Sequence, residues 1–88
     1  SDMDKRTYKV VLKVSLEVAR YFKSKHYLKS QKFLKELENG DILLSYEISH
    51  DMEIIPLVQQ WMPFIQVVEP LCLQEKIVKN VEKFMKGV

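Results

Sequence analysis

The chain has 88 residues, 47% of them hydrophobic and 30% charged, the make-up of one small globular domain rather than of a disordered tail. No apolar run approaches the ~18 residues of a membrane span, no basic-then-apolar leader opens the chain, and a single cysteine, Cys72, rules out an internal disulfide and fits a reducing cytoplasm. The net charge is only +2, yet residues 1–35 carry ten Lys/Arg and three acids, residues 36–75 eight acids and no Lys or Arg, and residues 76–88 four lysines and one acid. Such asymmetry marks either a nucleic-acid face or a charge-matched protein contact. The plainer alternative is that folding intermixes these charges in space.

Residues 1–6 read as a disordered or tag-derived N-terminus, and 7–86 as one domain. Tyr8, Val10, Leu12 and Val14 alternate with Lys9, Val11 and Lys13, which predicts a half-buried strand. Ser15 suits an N-cap, and Glu17 favours the positive end of the helix dipole. Val18, Ala19 and Phe22 share one face of the helix that follows, which fades around Ser24–Tyr27. Residues 30–37 and 42–48 flank Asn39-Gly40, the strongest short hairpin signal. Ile42, Leu44, Tyr46 and Ile48 form the inward face of the second arm; the facing of the first arm stays open.

Ser49 or Asp51 can cap the next helix, in which Ile54, Ile55, Val58, Trp61 and Met62 fall at helical spacing. Pro56 must lie in its first turn, or the helix must start later than Asp51. Pro63 predicts a stop near Met62. Ile65, Val67 and Val68 make a short strand, and Pro70 suits the first position of a last helix. Leu73, Ile77, Val81 and Phe84 form its apolar stripe, with Met85 beside them, and Gly87 suits its stop. The order predicts an α+β, ferredoxin-like βαββαβ sandwich with an additional C-terminal helix. That helix could cover the sheet's other face, cap an edge or dock on a partner.

The strings VVLKVSLEVARYFKSKHYLKSQ (10–31), ENGDILLSYEIS (38–49) and VVEP followed by a helix (67–85) resemble the C-terminal extension (WCX) domain of WYL-domain transcriptional regulators. Ser15, Val18, Ala19 and Arg20 match that family's first signature. Tyr27, Ser30 and Gln31 match the second, Gly40 the turn, and Glu69-Pro70 the opening of the last helix. Leu16 stands where a proline is common, and Trp61-Met62-Pro63 where the family often has an aromatic and a glycine. The resemblance implies a longer, bacterial-type regulator, of which these residues would be a fragment. Its helix-turn-helix and WYL domains would lie upstream in the same chain, and DNA would be contacted through that parent. It further implies a homodimer in which this domain relays effector binding to the DNA-binding end.

The basic run Arg20, Lys23, Lys25, Lys29, Lys32 and Lys35, with Glu17 its only nearby acid in sequence, is the first candidate site. His26 and Tyr27 add a hydrogen-bonding ring and a stacking surface, and basic residues interleaved with aromatics can track a phosphate backbone while stacking bases. Direct single-stranded nucleic-acid binding is therefore an alternative function; a solvated helix face is the simpler account. The ring-bearing pattern of RNA-recognition sheets is absent.

Trp61, Met62 and Phe64 form a second candidate, an aromatic anchor for an interface or a lid closing the core. Leu73 and Ile77 on the last helix join them as interface candidates. His26 and His50 lack a second ligand at useful spacing and Cys72 has no CxxC partner, so no metal is expected. No nucleophile–base motif or glycine-rich phosphate loop appears, and neither enzyme activity nor a cofactor is expected. A small-molecule sensor remains a third possibility without pocket chemistry in the sequence.

Overall fold

The computed structural model describes residues 6–87; the expected N-terminal tail therefore lies, but for Arg6, outside the described residues. In chain order the elements are β1 (Tyr8–Val14), α1 (Leu16–Ser24), β2 (Lys32–Glu36), β3 (Ile42–Ile48), a 3-10 turn (Asp51–Glu53), α2 (Ile55–Gln60), β4 (Ile65–Glu69) and α3 (Leu71–Met85). The strands form one antiparallel sheet in the order β2-β3-β1-β4. The fold is thus α+β, with four strands and three α-helices.

Period-2 alternation decides which side of the sheet is dry. Val10, Leu12 and Val14 of β1 and Ile42, Leu44, Tyr46 and Ile48 of β3 are all at most 1% exposed. They share one core with Val18, Ala19 and Phe22 of α1, Ile55, Leu57 and Val58 of α2, and Leu73 and Ile77 of α3. All three helices therefore contribute to the same side of the sheet. Among the described residues, no helix is long and apolar enough to cross a membrane.

Local signals set the boundaries. The Ser15 hydroxyl accepts from the Glu17 amide at 3.3 Å, the expected N-cap bond. A second cap comes from far along the chain: the Leu16 N–H donates to Asp41 Oδ1 at 2.9 Å. The hairpin turn thereby docks on the start of α1. Gly40 has φ +96°, a conformation that favours glycine, and a Cβ there would crowd the Leu16 Cβ at 3.2 Å. Pro56 falls in the first turn of α2, where its missing N–H is harmless. The Glu53 carboxylate, rather than a hydroxyl, receives the Ser49 and His50 amides, at 2.8 and 2.9 Å.

One expectation about the last helix is corrected, and two points that the sequence left open are settled. Pro70 is its N-cap, not its first residue; it is extended, with φ −79° and ψ 157°. Its carbonyl still accepts from Leu73 and Gln74. The apolar stripe is not buried throughout: Phe84 is 83% exposed and Met85 78%, because the helix outruns the sheet. Finally, α3 adds to the core and also guards an edge. Gln74 Nε2 donates to the Val67 carbonyl of β4 at 2.9 Å, occupying an acceptor that another strand could use.

Two bulges set the facing of the outer strands, including that of the first hairpin arm, which the sequence left open. Phe33 pairs with Leu44 and Lys35 with Leu43, so Leu34 is the extra residue in β2. Val67 pairs with Leu12 and Glu69 with Val11, so Val68 is the extra residue in β4. An extra residue reverses the alternation beyond it. Lys32 and Lys35 consequently both face away from the helices, while Glu36 returns to the helix side.

Candidate interaction surfaces

The basic run does not form one face. Arg20 and Lys23 stand on α1, whereas Lys32 lies opposite Ser45 on the far side of the sheet. Lys23 Nζ meets Glu36 Oε1 at 3.1 Å, an acid thirteen residues away that sequence proximity did not reveal. Arg20 Nη2 donates to the Tyr21 hydroxyl at 2.9 Å, with its guanidinium 4.9 Å from that ring's centre. Lys25 Nζ stands 4.8 Å from the Tyr27 ring centre. His26 and Lys29 are exposed in the loop between α1 and β2.

Tyr27 is half-buried rather than free to stack. Its ring centre lies 4.6 Å from that of Phe22 and 5.8 Å from that of Trp61. The loop around it hangs on Gln31, a side chain only 4% exposed. Gln31 Oε1 accepts from the Tyr46 hydroxyl at 2.7 Å and from the Tyr27 N–H at 3.1 Å. Gln31 Nε2 donates to the carbonyls of Phe22 and Lys25, each at 2.9 Å. One amide thus fills all its donor and acceptor roles and ties the end of α1, the loop and β3 together. The neighbouring Ser30 hydroxyl donates to the Glu47 carbonyl and accepts from the Glu47 N–H, both at 3.0 Å, which extends the β2–β3 ladder by a side chain. The Ser30-Gln31 signature was legible; its architectural role depends on partners up to seventeen residues away.

Burial pushes the Tyr46 phenol well above its ordinary value, with the nearby Tyr27 adding to the effect, so the neutral hydroxyl is the form that donates to Gln31. Just past the end of β3 the Lys76 ammonium donates to the Asp51 carboxylate, which holds that carboxyl below its ordinary value. This pair joins α3 to the 3-10 turn.

The interface candidates separate. Leu73 and Ile77 are core residues, 2% and 6% exposed, so the expectation of an interface there is corrected: they face the sheet. Trp61 is partly buried and packs against Tyr21, Phe22 and Tyr27, with ring centres 5.0–5.8 Å apart. Phe64 packs against the core, and its carbonyl accepts from the Ser15 N–H at 2.8 Å. Met62 alone among them lines an open apolar groove. That groove, about 500 Å³, runs between α2 and the end of α3 past Gln59, Asn80, Val81, Phe84 and Met85. Phe84 continues the apolar stripe that the spacing shows, with Met85 beside it, and no local signal marks where that stripe leaves the core. Among the described residues, no three His, Cys, Asp or Glu side chains group as metal ligands.

The family model of the WCX domain matches residues 6–85. No curated protein matches the chain.

Proposed function

The chain belongs to the WCX domain family, the C-terminal domain of WYL-type regulators, and from that premise we propose a regulatory and dimerisation role. The module carries no chemistry of its own; it holds two copies of a DNA-binding regulator together and relays effector binding from the upstream WYL domain to the helix-turn-helix. We read its sheet as the ferredoxin-like arrangement, since β1 and β3 form the central pair and each is followed by a helix.

The observation that carries this reading is the groove of Met62, Val81, Phe84 and Met85. Small soluble domains rarely leave such side chains grouped and open, and methionines adapt to a partner's surface. A second copy placed on a two-fold axis would cover both grooves with one reciprocal contact. Light scattering over a series of concentrations and salt tests it. The expected result is a dimer that Phe84→Asp converts to monomer without change of fold. A strict monomer at high concentration would remove self-association of this chain.

A further inference from the structure

Among the described residues no helix packs on the second face of the sheet, yet that face is not an ordinary solvated surface. Val11 and Ser45 at its centre are 5% and 7% exposed, although the helices pack on the other side. By register, Lys9 and Lys13 of β1 point to this side with Val11, and Lys32 and Lys35 of β2 point there with their partners Ser45 and Leu43. Their aliphatic stems cover the centre while the ammonium groups stay in water. The ion pairs Lys23–Glu36 and Lys76–Asp51 use no lysine of this face, and Lys9 lies opposite Glu47 in the register. Glu47 and Glu69 are the acids on it, Glu47 accepting from the Thr7 hydroxyl at 3.1 Å.

The two bulges complete the pattern. Each carries an extra apolar residue that is exposed: Leu34, 42%, between Phe33 and Lys35, and Val68, 47%, next to Glu69, the residue that pairs with Val11. Leu34, Leu43 and Val68, with the buried Val11 between the last two, therefore lie along a diagonal across all four strands. Lys35 and Lys13 flank it on one side, Lys32 and Lys9 on the other.

We propose that this face docks an acidic amphipathic helix of a protein partner. An apolar ridge meets the diagonal, and carboxylates on both its flanks meet the lysines. Four strands at ~4.8 Å spacing span about 14 Å, which about ten helical residues cover. Among the described strand residues no aromatic ring occupies an outward position, since Tyr8 and Tyr46 alternate inward and Phe33 pairs with inward Leu44. The base-stacking platform of single-strand binders is therefore not offered. A second copy's α3 is a poor occupant, because Lys76, Lys79 and Lys83 would approach the lysines.

The test uses the 88-residue chain and three labelled probes: a designed peptide with leucines at helical spacing flanked by glutamates, a scrambled peptide of the same composition, and an oligothymidine of equal charge. Fluorescence anisotropy should show the amphipathic peptide binding about tenfold tighter than either control. Lys13→Glu with Lys35→Glu should weaken it about tenfold or more, while Lys79→Glu leaves it unchanged. Amide shift changes should fall on residues 9–13, 32–35, 43–47 and 66–69. If the double variant fails to fold, Lys9→Gln with Lys32→Gln replaces it, with the same expected direction. Equal binding of the scrambled peptide, tighter binding of oligothymidine, or shift changes confined to α1 or α3 would overturn the proposal.

Discussion

Residues 25–31 adopt neither helix nor strand, whereas the last turn of α3 is regular helix. The irregular segment is nonetheless the better fastened. Gln31 joins it to the end of α1 and to Tyr46, and Tyr27 packs on Phe22. The helical segment ends in Phe84 and Met85, both more than three-quarters exposed. Its backbone bonds are satisfied within the helix, but its apolar side chains edge an open groove rather than the core. Regularity and anchorage are thus separate properties: the first follows from backbone bonding, the second from buried contacts between distant parts of the chain. The anchored loop fixes the fold, and the overhanging helix end leaves surface for a partner.

Breaking the anchored side should have the largest effect. Gln31→Ala removes the partner of the Tyr46 hydroxyl, the Tyr27 N–H and two carbonyls at once. Leaving several buried polar groups unsatisfied should cost about 3 kcal/mol, read as a lower urea midpoint. Tyr46→Phe is the milder cut. Gln31 Oε1 keeps its bond from Tyr27, so the loss should be about 1 kcal/mol. That variant also has a pH signature. Burial raises the Tyr46 phenol above its ordinary 10.0, so above about pH 10 the unfolded tyrosine releases its proton while the folded one retains it. The native state then loses stability with rising pH, by up to about 1.4 kcal/mol per pH unit. Stability measured from pH 8 to 11 should fall less steeply in Tyr46→Phe than in the parent. Parallel curves would mean that Tyr46 is not the group responsible.

Much of the anchored side was readable in advance because its signals are local. The Ser15 cap, the Asn39-Gly40 turn and the inward row Ile42, Leu44, Tyr46 and Ile48 each follow from residues within a few positions of one another. The Ser30-Gln31 pair could be picked out as a signature, but not understood, since its bonds reach Phe22, Tyr46 and Glu47. Asp41 as a cap for Leu16 was invisible for the same reason. The bulges at Leu34 and Val68 reflect pairing between strands, which no single-strand periodicity records; the basic run was therefore read as one surface when Lys32 and Lys35 lie across the sheet from Lys23. On α3, spacing identified the apolar stripe correctly but not where the sheet beneath it ends.

The overhang makes the smallest and most discriminating prediction. Phe84 continues the stripe of Leu73, Ile77 and Val81, and sequence alone would give it the weight of a core phenylalanine, whose truncation costs about 3–5 kcal/mol. At 83% exposure it has little burial to lose. Phe84→Ser should therefore change stability by less than about 0.5 kcal/mol when measured at high dilution, where self-association is suppressed. Amide exchange near residues 83–86 should be fast in the parent and remain fast in the variant, while the amides around Ile77 stay protected. A loss of several kcal/mol at high dilution would show that the end of α3 is held by the same monomer that holds Gln31. The contrast between the two regions would then fail, and with it the case for a free apolar groove at that end.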